Sequence, residues 1–121
     1  MATVSTRQIR LNKFRRISYP LITSPLKIYE VPFDRAGIVL IALGSNVTNA
    51  PQTVTVSISS NAAENGASEI DIVKNVKIGA YDAAHLTIGK VVLTDGDVLY
   101  ANCSGLSSVN LTLSILETLN T

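Results

Sequence analysis

From Gln52 to Ser60 the chain alternates residue by residue, with Val54, Val56 and Ile58 on one side and Thr53, Thr55, Ser57 and Ser59 on the other. A period of two is that of a strand with one face on a core and the other in water. The last segment repeats the pattern, setting Val109, Leu111, Leu113 and Ile115 against Asn110, Thr112 and Ser114. Ala36 to Leu43, bounded by Gly37 and Gly44, is instead an unbroken apolar run. A strand of that composition expects cover on both faces. Leu26, Ile28 and Val31 form a short strand that Pro32 ends, and Leu86–Leu93, with Gly89–Lys90 as a kink, and Val98–Cys103 read as two more. In the remaining segment Ile70, Ile72, Val76 and Ile78 share a parity, but Lys74 falls on the same side. A bulge near Lys74–Asn75 is expected to turn that ammonium outward.

Turn signals separate these runs. Asn65-Gly66 lies in a small polar stretch, and Thr94-Asp95-Gly96-Asp97 predicts a hairpin, because Asp–Gly tolerates the positive φ of a tight turn. The count is about seven strands and no convincing helix. The expectation is an all-β chain: one antiparallel β-sandwich over residues 26–121, immunoglobulin-like or jelly-roll.

Residues 1–25 have no clean period. Ile9, Leu11, Phe14, Ile17, Leu21 and Ile22 are punctuated by Pro20 and Pro25, so an extended N-terminal arm is expected rather than a helix. On that division residues 26–121 should fold without it. Charge sharpens the division. Although the net charge is only +1, residues 1–29 carry six cations and no acid, and the rest carries four cations and nine acids. Arg7, Arg10, Lys13, Arg15 and Arg16 are therefore the candidate interaction residues of the arm. They suit either phosphates or an acidic protein surface, on another copy of this chain or on a different protein. The few aromatics nearby, Phe14 and Tyr19, weigh against stacking on nucleic acid and favour protein.

Composition narrows function mainly by what is scarce. The chain has 121 residues, 46% hydrophobic and 16% charged, enough for a single core and too apolar for disorder. The longest uninterrupted apolar run, Ile38 to Leu43, is far short of the ~20 residues of a membrane-spanning helix, so no membrane partner is expected. No secretory signal is expected at the start of the sequence. One cysteine, Cys103, and one histidine, His85, leave no disulfide within the chain and little for a metal. Those two could pair as nucleophile and base, but Cys103 alternates with Leu99 and Ala101 and reads as a small core residue. Asp95 and Asp97 resemble part of a calcium loop without its remaining ligands. No glycine-rich phosphate cradle is present. Three glycosylation sequons begin at Asn46, Asn102 and Asn110, and arise readily in a chain rich in Asn, Ser and Thr. Sugar binding would need an aromatic platform. There is no tryptophan, and Tyr29, Tyr81 and Tyr100 read as packed residues. The expectation is a non-enzymatic protein with no cofactor.

A longer cadence adds to this reading. Ile28-Tyr29-Glu30-Val31-Pro32, the Ala36–Leu43 strand and the Asn46–Ser59 segment are followed by Val73-Lys74-Asn75-Val76-Lys77-Ile78 and Asp82-Ala83-Ala84. Gly89-Lys90-Val91-Val92-Leu93, Gly96-Asp97 and Leu113-Ser114-Ile115-Leu116-Glu117 complete it. Residues 28–117 thus resemble small β-sandwich virion structural proteins of tailed bacteriophages, of the marine and cyanobacterial type. Phe33-Asp34-Arg35 departs from that pattern, which has a smaller turn with glycine. The resemblance implies a structural role in a virion: a capsid decoration or cement subunit, or a tail, neck or baseplate component. It also implies other virion proteins as partners and assembly into a trimer or ring. A carbohydrate- or receptor-binding module is the alternative of another class. The first 25 residues lie outside the resemblance.

Overall fold

In a computed structural model, which describes residues 12–59, 70–86 and 89–119, the alternating segments become strands of two packed sheets. The strands among the described residues are Asn12–Pro20 (β1), Leu26–Glu30 (β2), Arg35–Asn46 (β3), Gln52–Ser59 (β4), Ile70–Ile78 (β5), Ala83–His85 (β6), Val91–Leu93 (β7), Val98–Cys103 (β8) and Val109–Leu119 (β9). One sheet runs β1-β9-β3, with β6 and β7 both on the far side of β3, and the other runs β2-β8-β4-β5. All pairings are antiparallel, and they nest: β1 with β9, β2 with β8, β3 with β6 and β7, and β4 with β5. Nested ladders distributed over two sheets are a long hairpin rolled up on itself. Of the two sandwich types expected, this is the jelly-roll.

The core lies between the sheets and is filled by the apolar parity of each strand. Val109, Leu111, Leu113 and Ile115 of β9 face Val54 and Val56 of β4 and Leu99, Ala101 and Cys103 of β8, all buried. In β3 the register slips between Val39 and Ile41, so Val39 and Ala42 both reach the core. The expected bulge in β5 is present. Val54 pairs with Val76 and Val56 with Val73, leaving Lys74 and Asn75 opposite Thr55 alone. Asn75 takes a φ of 52°, held by its backbone N–H donating to Thr55 Oγ1 at 3.0 Å. Lys74 then points to solvent within 3.6 Å of Asp71. The irregular register also leaves Ile70 70% exposed, so the simple parity expected for β5 does not hold along its whole length.

Three sequence expectations need correction. The strand expected over Leu86–Leu93 is two short strands, β6 beginning earlier at Ala83 and β7 confined to Val91–Leu93, both on the same edge of β3. Thr94–Asp97 is a tight turn with Gly96 at a φ of 84°, but it joins β7 of one sheet to β8 of the other, so it is not a hairpin. Asp97 closes it, its carboxylate accepting from the Thr94 N–H at 2.9 Å. Third, within the stretch expected as an arm, residues 12–20 are extended but form β1, in register with β9 from Asn12↔Thr118 to Pro20↔Asn110. Leu21 follows with no exposed surface, its N–H donating to the Val109 carbonyl at 2.8 Å. The pattern was blurred because β1 is an edge strand, exposed along nearly all its length, and so carries little apolar alternation. At the unusual Phe33-Asp34-Arg35 turn, Asp34 adopts a φ of 63°, a left-handed conformation that a short polar side chain tolerates in place of glycine.

Candidate functional site

The period of two sorts the cations of the N-terminal segment. Arg7 and Arg10 lie outside the described residues. On β1, Arg15 shares its parity with Ile17, which packs against the core, whereas Phe14, Arg16 and Ser18 share the opposite, outward parity. Arg15 and Arg16, neighbours in sequence, therefore do different things. The Arg15 guanidinium lies 3.1 Å from Glu117 Oε2 and 5.7 Å from the centre of the Tyr29 ring. The Tyr29 hydroxyl donates to the same carboxylate oxygen at 2.5 Å. Arg15, though 40% exposed, is engaged within the molecule, and Lys13 and Arg16 are the other described cations of β1, both exposed.

Tyr29 belongs to β2 and Glu117 to β9, so this cluster ties the two sheets together. The buried Glu117 carboxylate is satisfied by one charged and one neutral donor, as a buried charge must be. Burial, and then the bond to Glu117, raise the Tyr29 hydroxyl above its ordinary pKa of 10.0, while Arg15 and Arg35 pull the other way. Gly37 pairs with Glu117 in the ladder, and the tyrosine ring lies over it. A β-carbon at Gly37 would stand 2.9 Å from the Tyr29 hydroxyl and 3.0 Å from Cε2. Gly37→Ala is therefore expected to push the ring off Glu117 and destabilise by about 1–3 kcal/mol in urea titration. An unchanged midpoint would mean the ring has room to retreat.

The constellations with a chemical reading are dispersed. His85 sits on β6 at the margin of one sheet, and Cys103 on β8 in the interior of the other, 2% exposed. The Cys103 thiol donates to the Gly105 carbonyl at 2.8 Å. Asp97 is occupied in closing its own turn, and among the described residues no three His, Cys, Asp or Glu side chains converge as a metal site. Asn46, the first sequon asparagine, is 2% exposed and its amide donates to the carbonyls of Ala50, Ile78 and Gly79. It is a structural bracket between β3 and the end of β5. A cleft of about 500 Å³ opens between β5 and the β6–β7 margin, with Ile72, Val76, Leu86 and Val91 among its lining and Lys74, His85 and Lys90 around it.

The two outer sheet faces differ in kind. Across the four-stranded sheet a row of direct pairs reads Lys27, Tyr100, Ser57 and Asp71. Across the other sheet a row reads Phe14, Leu116, Ile38 and Val92, apolar from β1 through β9 and β3 to β7. Phe14 and Val92 are 74% and 64% exposed, and Ile41 adjoins the row at 46%. This surface was not found from sequence, because it exists only once four strands are in register. Its one signal was the unbroken apolar run of β3.

The sequence matches no protein-family model and no curated protein. Among solved structures the chain is similar to a subunit of Bacillus endospore appendages, which are described as a novel family of disulfide-linked pili. The alignment covers 100% of this chain and 98% of that one, with a TM-score of 0.56 and 10% sequence identity. The likeness is one of fold.

Proposed function

We propose that this chain is a non-enzymatic structural subunit of a tailed-phage virion, a capsid decoration or cement protein docked through its basic N-terminal segment and sheet edges. The observation that carries the reading is β1: an edge strand with one side unpaired among the described residues, exposing Lys13 and Arg16 and continuing a segment that contains Arg7 and Arg10. An unpaired strand edge offers a row of backbone donors and acceptors to a neighbour, and clustered cations select an acidic one. In a symmetric shell or ring the same small contact recurs, and avidity replaces single-site affinity. The tail, neck or baseplate is the other location the phage resemblance implies.

Virions purified from the source host should contain the chain in fixed ratio to the major capsid protein by quantitative mass spectrometry. Recovery only in the particle-free supernatant would overturn the reading. A second reading, a subunit of a surface fibre, is favoured by the end-to-end fold likeness to a pilus-forming protein. Recovery with sheared cell-surface filaments would replace the first reading with it. Since the single cysteine of this sequence, Cys103, is buried, no disulfide between folded copies is expected in either assembly.

A further inference from the structure

We infer that the outer face of the β1-β9-β3-β7 sheet is the docking surface for a second copy of this chain, the two faces packing on each other. The row Phe14–Leu116–Ile38–Val92 crosses the full width of the sheet, and Ile41 and Leu43 extend it along β3. Isolated exposed apolar residues are ordinary, but a contiguous patch spanning a sheet marks a contact surface. The β3 sequence agrees. Its unbroken apolar run is that of a strand covered on both faces, and the core covers only the inner one.

Charge and size identify the occupant. The outward positions of β9 are Asn110, Thr112, Ser114, Leu116 and Thr118, and those of β1 are Asn12, Phe14, Arg16, Ser18 and Pro20. With Ile38, Ile41, Leu43 and Val92 added, and His85 beside Leu43 on β6, there is no acid among them, and Arg16 sits on the edge strand where it can stay in water. A face with no acid does not select the basic residues 1–11, whose Arg7 and Arg10 would meet only another cation there. It does complement itself. Small hydroxyl and amide groups oppose their own kind, and the apolar row is buried without stranding a charge. Three strands about 4.8 Å apart with nine residues at about 3.4 Å each, and the three residues each of β6 and β7 beyond them, make a face of roughly 540 Å². Two such faces bury about 1,100 Å², above most lattice contacts and above the roughly 1,000 Å² that a biological interface should clear.

This inference does not depend on the virion reading, which particle composition tests separately. Light scattering on the full chain at tens of micromolar should give twice the 12.9 kDa chain mass, or a multiple of that pair. Ile38→Lys and, separately, Val92→Glu should each weaken the association about a hundredfold, halving the mass, with the far-UV circular dichroism of the fold retained. Lys77→Glu, an exposed position of the opposite sheet, should leave the mass unchanged. Val92 is too exposed for its replacement to unfold the chain. A wild-type mass of one chain would overturn the inference, as would a mass that both face variants leave intact. Loss of association on removing residues 1–11, with both face variants still associated, would overturn it in favour of the N-terminal segment.

Discussion

Removal of residues 1–25 is expected to unfold the domain or leave it at the margin of stability, a loss of at least about 5 kcal/mol, comparable with the whole stability of many single domains. The division into arm and sandwich suggests the opposite result. Its failure is expected because the cut takes more than an appendage. β1 pairs with β9 over nine positions, and β9 carries Leu111, Leu113 and Ile115, three of the largest buried side chains. Leu21 is fully buried, and burying one leucine contributes about 1.5–3 kcal/mol. Its N–H and carbonyl bond Val109 and Ser107, and the Ile22 carbonyl accepts from Cys103 at 2.9 Å. Losing Arg15 as well leaves Glu117 with Tyr29 as its remaining donor among those described here. Circular dichroism and urea titration of residues 26–121 check this. A cooperative transition at the full-length midpoint would make β1 dispensable. Removing residues 1–11 alone touches none of these contacts.

Simultaneous Arg15→Ala and Tyr29→Phe is expected to cost about 3–5 kcal/mol, because it strips both donors from a buried carboxylate. The cost lies in stranding the charge rather than in the worth of the bonds. Adding Glu117→Leu to the double variant should therefore recover most of the loss. Arg15 is 40% exposed, so Arg15→Ala alone leaves water near the carboxylate and should cost much less than the double change. Tyr29 also gives a pH signature. Its pKa is raised in the folded chain, so the unfolded chain releases the phenolic proton first. The tyrosine's contribution is fully present below the ordinary value of 10.0 and declines as pH rises beyond it. The stability difference between wild type and Tyr29→Phe should be constant from pH 7 to 9 and shrink above pH 10 (test values on either side of the phenol's range). A difference that stays constant to pH 11 would mean that the hydroxyl is not held by Glu117.

The fate of Arg15 and Arg16 marks where sequence reasoning reaches its limit. Parity is local: neighbouring residues on a strand face opposite ways, so once β1 exists the two arginines must part. What hid β1 was its exposure, since an edge strand with a wet outer side has little alternation to display. The split of the strand expected over Leu86–Leu93 was legible only as a kink at Gly89–Lys90, for a different reason. Ala83–His85 and Val91–Leu93 are each too short to carry a period. By contrast the bulge at Lys74–Asn75 was legible, because a lysine on an apolar parity has few other resolutions.

By itself the sequence determined the all-β character, the inward sets of β4, β8 and β9, and the small inventory of reactive side chains. Each follows from a period of two or from a count, and both are properties of short stretches of chain. The tertiary structure alone decided the rolled order of the strands and the meeting of Tyr29 with Glu117, 88 residues apart. It also decided the apolar row from Phe14 to Val92. These depend on register between distant segments, which is set by how the buried faces fit together. No local pattern carries that information, because sliding a strand by two residues preserves its parity and changes every partner it meets.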